Sequence, residues 1–274
     1  MSLESESNAP TNSGSAADAS APEPPVDEPS FDEVFAGVAD VQGWMTPDQA
    51  RLLWDSARAL RPGDRIVEIG SYQGRSTVIL ASAVPDGSTV FAVDPHAGTD
   101  RGPEEYTGKE SEAEQDSQTF QKNLEQAGVR DRVTYLRQWS QDALDEVDGS
   151  VDLLYIDGAH RYEPAKQDIE AWGARVVPGG TLLIHDSFSS IGVTGAILTS
   201  LSFSSRWRYV GRAQSMTRYR RETLGAGDRA RSAGRQLAQL PWFVRNVLFK
   251  ALISAKLKKV AVALGADPAQ DWPY

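Results

Sequence analysis

Apolar residues in this chain gather in five short runs, at positions 66–69, 89–93, 133–136, 151–156 and 181–184. The runs are rich in Val, Ile and Leu, with aromatics interspersed, and suit strands buried on both faces. Between them apolar side chains recur at helical intervals: Ala50, Leu53, Trp54, Ala57 and Leu60; then Val78, Ile79 and Ala81; then Phe120, Leu124 and Ala127; then Ile169 and Trp172. Strand alternating with helix predicts an α/β domain built on a parallel, doubly wound sheet. Later in the chain, positions 207–211 and 216–219 read as two strands that add to the sheet antiparallel, and 191–201 reads as a helix.

Turn and cap residues set the boundaries. Thr46 predicts an N-cap, with Pro47 at the first helical position. Pro85-Asp86-Gly87 and Pro178-Gly179-Gly180 predict turns, and Gly128 ends a helix. Ser140 predicts the N-cap of a helix after the third strand, and Trp139 beside it either packs or stacks on a ligand. Trp44 and Met45 are expected in the core, with lining a cofactor or acceptor pocket as the alternative. The polar stretch 97–118 predicts a long loop, either a lid over a site or a disordered insertion, with the next helix starting at Thr119.

Composition divides the chain in three. Residues 1–30 hold almost no large apolar side chain and are expected to be disordered. Residues 31–222 form the α/β domain, and 223–274 a helical extension broken at Pro241. Net charge is −10, yet fourteen of the 28 basic residues lie between Leu201 and Leu264, against only Glu222 and Asp228. An acidic body with a basic arm suggests contact with an anionic surface. Positions 240–264 mix aromatic and aliphatic residues with Arg245, Lys250, Lys256, Lys258 and Lys259. Packing on the domain or on a second subunit is the first expectation, and peripheral contact with a bilayer the second. No apolar run approaches the ~18 residues of a membrane span. The acidic start is unlike a secretory signal, and cysteine is absent, so a cytoplasmic location is expected.

The chemistry gathers at strand ends. The first run leads into Glu68-Ile69-Gly70-Ser71-Tyr72-Gln73-Gly74-Arg75-Ser76, a glycine-rich turn from strand to helix. Its glycines are four apart and do not form the Gly-x-Gly-x-x-Gly of dinucleotide sites, which argues against a nicotinamide-dependent oxidoreductase. The second run ends in Asp94, twenty residues beyond Gly74, where an acid binds ribose hydroxyls in such folds. The fourth and fifth runs deliver Asp157-Gly158-Ala159-His160 and His185-Asp186 to the same sheet edge. Two histidines and two carboxylates there can bind a divalent cation or carry out acid–base chemistry.

The order Glu-x-Gly-x-x-x-Gly-x-Ser, with Ile-Asp-Gly-Ala-His-x-Tyr and Gly-Gly-Thr-Leu-Leu-Ile-His-Asp further on, resembles class I S-adenosylmethionine-dependent methyltransferases. It is most similar to the branch that includes catechol and macrolide-sugar O-methyltransferases, and the resemblance runs from about Trp44 to Ser187. It implies a Rossmann-like fold and a cofactor site made of Glu68, Gly70, Ser71, Gly74, Ser76, Asp94, Ser140, Gln141 and Asp157. It implies methyl transfer to a small-molecule or sugar hydroxyl with His160 as base. It implies a Mg²⁺ or Mn²⁺ site at Asp157, His185 and Asp186, although His185 stands where those relatives carry an acid. A metal-free site, with Asp186 orienting a catalytic histidine, is the other option. A non-catalytic module docking through its basic arm is the alternative function, and a homo-oligomer is compatible with either.

Overall fold

A computed structural model describes residues 29–97 and 110–268. The N-terminal tail and most of the expected lid therefore lie outside the described residues. The first two helices, α1 (Phe31–Gly37) and α2 (Pro47–Arg58), both begin with reciprocal capping boxes, Ser30 with Glu33 and Thr46 with Gln49. Then follow β1 (Arg65–Ile69), α3 (Arg75–Ala83), β2 (Thr89–Val93), α4 (Glu110–Gln126), β3 (Val133–Leu136) and β4 (Val151–Ile156). After these come α5 (Tyr162–Arg175), β5 (Val176–Ile184), α6 (Ile191–Ser200), β6 (Trp207–Ala213) and β7 (Met216–Arg221). The last elements are α7 (Ala226–Leu237), α8 (Leu240–Ser254) and α9 (Lys258–Ala263).

The seven strands form one sheet in the order β3-β2-β1-β4-β5-β7-β6. Strands β1 to β5 are parallel, and β7 runs antiparallel to both β5 and β6. This is the Rossmann-like sheet with an antiparallel C-terminal addition that the hydrophobic pattern predicts. Alternate strand residues face opposite helical layers. Ile66, Val90 and Leu153 meet Leu53, Ile79 and Leu124 on one side. Val67, Leu154 and Ile184 meet Trp172, Ile197 and Phe188 on the other. Strand order reverses between β1 and β4, so the crevice of an open α/β sheet opens at their carboxyl ends.

The structure corrects four expectations. Helix α4 starts at Glu110 rather than Thr119, because its first buried positions are the small residues Ala113 and Ser117, which hold the same spacing as Phe120 and Leu124. Strand β5 starts at Val176. Pro178-Gly179-Gly180 forms a bulge within it, and pairing to β4 shifts register between Val151 and Leu153. Ser140 caps no helix. Only a short 3₁₀ turn, Asp142–Asp145, follows β3, and the Ser140 hydroxyl instead donates to Asp168 of α5. Trp44 is 53% exposed and stacks on Tyr72, whereas Met45 packs against the core as expected.

The basic C-terminal segment also turns inward. Arg221 donates to the Gly173 carbonyl, Arg229 to that of Phe203, and Arg235 to those of Tyr209 and Val210. Arg208 pairs with Glu222, and Arg212 lies 3.9 Å from the Trp242 ring centroid. Much of the arginine charge therefore ties α7 and α8 to the sheet edge.

Candidate functional site

The sheet ladder continues one residue past each central strand. Asp157 N–H donates to Ile69 O (2.8 Å), His185 N–H to Ile156 O (2.9 Å) and Gly70 N–H to Val93 O (2.9 Å). These bonds fix the backbone from which the candidate side chains project. Gly70 sits at φ +87°, and a Cβ there would lie 2.3 Å from the Asp157 carbonyl oxygen. At Gly74 (φ +90°) a Cβ would press on the Phe120 ring at 3.1 Å. Backbone packing therefore requires glycine at 70, and the left-handed φ favours it at 74.

The two histidines and two carboxylates converge. His160 Nε2 lies 2.7 Å from Asp186 Oδ2, so the imidazole N–H donates to the carboxylate and leaves Nδ1 to accept a proton. His185 Nδ1 lies 3.1 Å from Asp157 Oδ1 and 3.6 Å from Asp186 Oδ2. Tyr155 O–H donates to Asp157 Oδ2 at 2.8 Å. The hydrogen bond to Asp186 raises the His160 pKa more than burial lowers it. Burial also opposes the charge on His185, but Asp157 and Asp186 outweigh it and hold that ring well above the usual histidine range. Burial pushes the Asp186 carboxyl up, yet His185 and His160 together hold it well below the ordinary value. The group thus reads as two carboxylates bridged from beneath by His185, whose charged form they favour.

Ligand atoms of Asp157, His160 and Asp186 all lie within 4.8 Å of one another. His185, expected as a ligand, is 3% exposed and sits under the carboxylates, with its Nε2 buried and unpartnered. His160 takes its place in the converging set. Two hard oxygens and one imidazole fit Mn²⁺, Fe²⁺ or Zn²⁺ at least as well as Mg²⁺. A shallow cleft opens over this group, lined further by Ile156, Gly158, Ala159, Ala165, Ile169 and Val193.

The residues expected at a cofactor separate into an outer and an inner set. Asp94 accepts Tyr72 N–H and His96 N–H, both at 2.8 Å, one on each oxygen, and each oxygen keeps a lone pair for a ribose hydroxyl. The Ser71 hydroxyl is buried at the turn with no partner, and Trp139 is 49% exposed beside Ser140. These features suit an adenosyl ligand. Glu68 and Ser76 are different. Glu68 is fully buried, bonded by Thr77, and pushed up to about 8 by burial against the opposing hydrogen bonds of Ser76 and Thr77. Ser140 and Gln141 both donate to Asp168.

Two side chains escaped the sequence reading. Tyr155 is two residues before Asp157 and so on the same strand face, which was a usable signal. His96 Nε2 donates to Tyr72 O (2.7 Å), and its Nδ1 accepts from Tyr135 O–H (2.7 Å), which ties β3 to the glycine-rich turn. Nothing in the spacing marked that role. Non-glycine residues with positive φ follow β1 (Tyr72, +45°), β2 (His96, +43°) and β5 (Asp186, +53°; Phe188, +56°). Strained backbone of this kind concentrates at functional sites.

Residues 67–187 match the family described as "Methyltransferase domain". The uncharacterized protein y4gI of Sinorhizobium fredii is 34% identical over 134 residues, 47% of this chain. The chain spans about 14% of the length of that curated relative. Among solved structures, a proposed O-methyltransferase from Klebsiella pneumoniae superposes with a TM-score of 0.54 at 17% identity, over 70% of this chain and 90% of that one. The O-methyltransferase NovP gives 0.52 at 19% identity, over 64% and 80%. TomG from Streptomyces achromogenes, an O-methyltransferase involved in tomaymycin synthesis and solved with S-adenosylmethionine, gives 0.50 at 17%, over 71% and 89%. At these identities the likeness speaks to the fold. The family match falls on the strands and turns that carry the site.

Proposed function

We infer, for a chain whose residues 67–187 belong to the methyltransferase-domain family, that it is an S-adenosylmethionine-dependent O-methyltransferase acting on a small-molecule or sugar hydroxyl. One observation carries the reading of the chemistry. The His160–Asp186 pair stands over a small cleft, at the same sheet edge as the glycine-rich turn and Asp94.

The sulfonium cofactor supplies an electrophilic methyl group. A neutral hydroxyl is a weak nucleophile and needs its proton removed as the new C–O bond forms. His160 Nδ1 takes that proton, and Asp186 stabilises the imidazolium that results. His185 and Tyr155 fix Asp157 from two sides and keep the carboxylates from repelling one another. Asp94 binds the ribose hydroxyls, Ser71 contacts the ligand at the turn, and Trp139 offers a face to the adenine. Glu68 and Ser76 support the turn from behind.

A metal-assisted form rests on the convergence of Asp157, His160 and Asp186. A divalent cation held by these three would lower the pKa of an acceptor hydroxyl, and His160 would then act as a ligand. Calorimetric titration of S-adenosylmethionine into the wild type and Asp94→Ala, with metal content measured before and after EDTA, separates the cases. Binding lost in Asp94→Ala supports the cofactor assignment, and no binding by the wild type sinks it. A stoichiometric metal lost in Asp157→Ala supports the ion.

A further inference from the structure

We propose that the outer face of α8 and α9 docks on an anionic lipid surface and holds the methyl-transfer cleft beside it. A helix on the outside of a domain ordinarily shows solvent a polar face. Helix α8 does not. Its inner face carries the buried Asn246 and Phe249, with Trp242 and Phe243 packed on the core. Its outer positions recur at helical spacing as Val244 (64% exposed), Leu248 and Ala251, all turned outward. The apolar surface continues through Leu257 and Val260 to Leu264 (59% exposed). Exposed apolar residues in such continuity mark a contact surface.

Charge identifies the occupant. Positions 240–264 contain five basic residues and no acid. Arg245, Lys256 and Lys259 are exposed among these apolar side chains, whereas most of the arginines of β6, β7 and α7 are tied to carbonyls or carboxylates of the domain. A symmetric pairing of two copies through this face would set these cations against one another. An anionic bilayer meets both features, because acyl chains cover the apolar stripe and headgroups pair with the lysines. No described helix is long and apolar enough to cross a membrane, so the contact is peripheral.

The site is adjacent. Asn246 donates to the Phe188 carbonyl at 3.1 Å, and Lys250 Nζ donates to both the carbonyl and hydroxyl of Ser189 at 3.1 Å. One helix therefore grips the loop that carries Asp186 with its inner face and presents the docking stripe with its outer face. On the methyltransferase reading, this geometry favours an acceptor presented at the headgroup layer.

The test is co-sedimentation of the full chain with phosphatidylcholine vesicles, with and without phosphatidylglycerol. Binding is expected only to the anionic vesicles and should weaken with salt. Lys256→Gln and Lys259→Gln should each weaken it about fivefold. Val244→Glu with Leu248→Glu should abolish it while S-adenosylmethionine affinity and thermal stability stay unchanged. No sedimentation with anionic vesicles overturns the proposal. So does light scattering that shows a dimer dissolved by Val244→Glu/Leu248→Glu, since a second copy would then cover the face. Because vesicle binding is read without turnover, its outcome is independent of whether the cleft transfers methyl groups.

Discussion

The carboxylate paired with His160 is held in an unusual backbone. Asp186 lies in the left-handed region at φ +53°, a conformation that costs a residue with a Cβ about 1 kcal/mol or more. The loop maintains it because the Asp186 carbonyl accepts both Ser189 N–H and Ser190 N–H. Removing the ring in His160→Ala should lower turnover roughly 10²–10⁴-fold and leave S-adenosylmethionine affinity unchanged. A variant with full turnover would dismiss His160 as the base. Glu68 offers a second prediction, in stability. Its folded pKa of about 8 lies above the ordinary 4.5, so its favourable contribution is complete below the unfolded value and is lost as pH rises through 8. Between these values the unfolded chain releases a proton that the folded chain keeps. From pH 5 to 8 the wild type should lose up to about 4 kcal/mol more than Glu68→Gln. Urea denaturation at the two pH values measures the difference, and equal slopes would mean that Glu68 is ionised in the fold. At this scale the strand-end acids and histidines were legible, because a parallel sheet sends every strand's last residue to one edge. The exchange of His160 for His185 in the converging set was not, since it depends on which ring lies beneath the carboxylates.

Helix α6 approaches the site through a glycine. A Cβ on Gly192 would fall 2.2 Å from the His160 carbonyl oxygen and 2.7 Å from Tyr162 N. Gly192→Ala must therefore push the start of α6 away from the loop that carries His160. The expected cost is about 1–3 kcal/mol, with turnover reduced more than cofactor affinity. Calorimetry and single-turnover kinetics on the same variant check both parts, and an unchanged enzyme would show that α6 gives way freely. Helix α8 is the other neighbour of the site. Phe249 is a large buried side chain, and Phe249→Ala should cost about 3–5 kcal/mol by chemical denaturation. A loss under 1 kcal/mol would mean that α8 is only loosely docked. Although α1 was not expected, despite Phe31, Val34 and Phe35 holding its spacing, element existence was legible for most helices marked by large apolar residues. It failed at the start of α4, where Ala113 and Ser117 are buried by virtue of being small. It also failed after β3, where Ser140 found a partner 28 residues away in Asp168.

Across the whole molecule, the continuous apolar runs made the sheet readable, because a strand covered on both faces cannot afford a polar side. Packing of 240–264 on the domain was expected, but the arginines of 206–235 that turn inward were not readable, since arginines that donate to carbonyls look the same in sequence as arginines that face solvent. Strand order has a consequence in time as well as in space. Strand β1 is flanked by β2, whose register partners lie about two dozen residues on, and by β4, where Ile66 meets Leu153. During synthesis the β1–β2 half is complete long before β4 emerges. For that interval β1 presents an open, largely apolar edge, the kind of surface that pairs wrongly with other chains. Fragments that stop short of residue 151 should therefore aggregate, and the step that limits refolding of the full chain should be the closure of β4 onto β1.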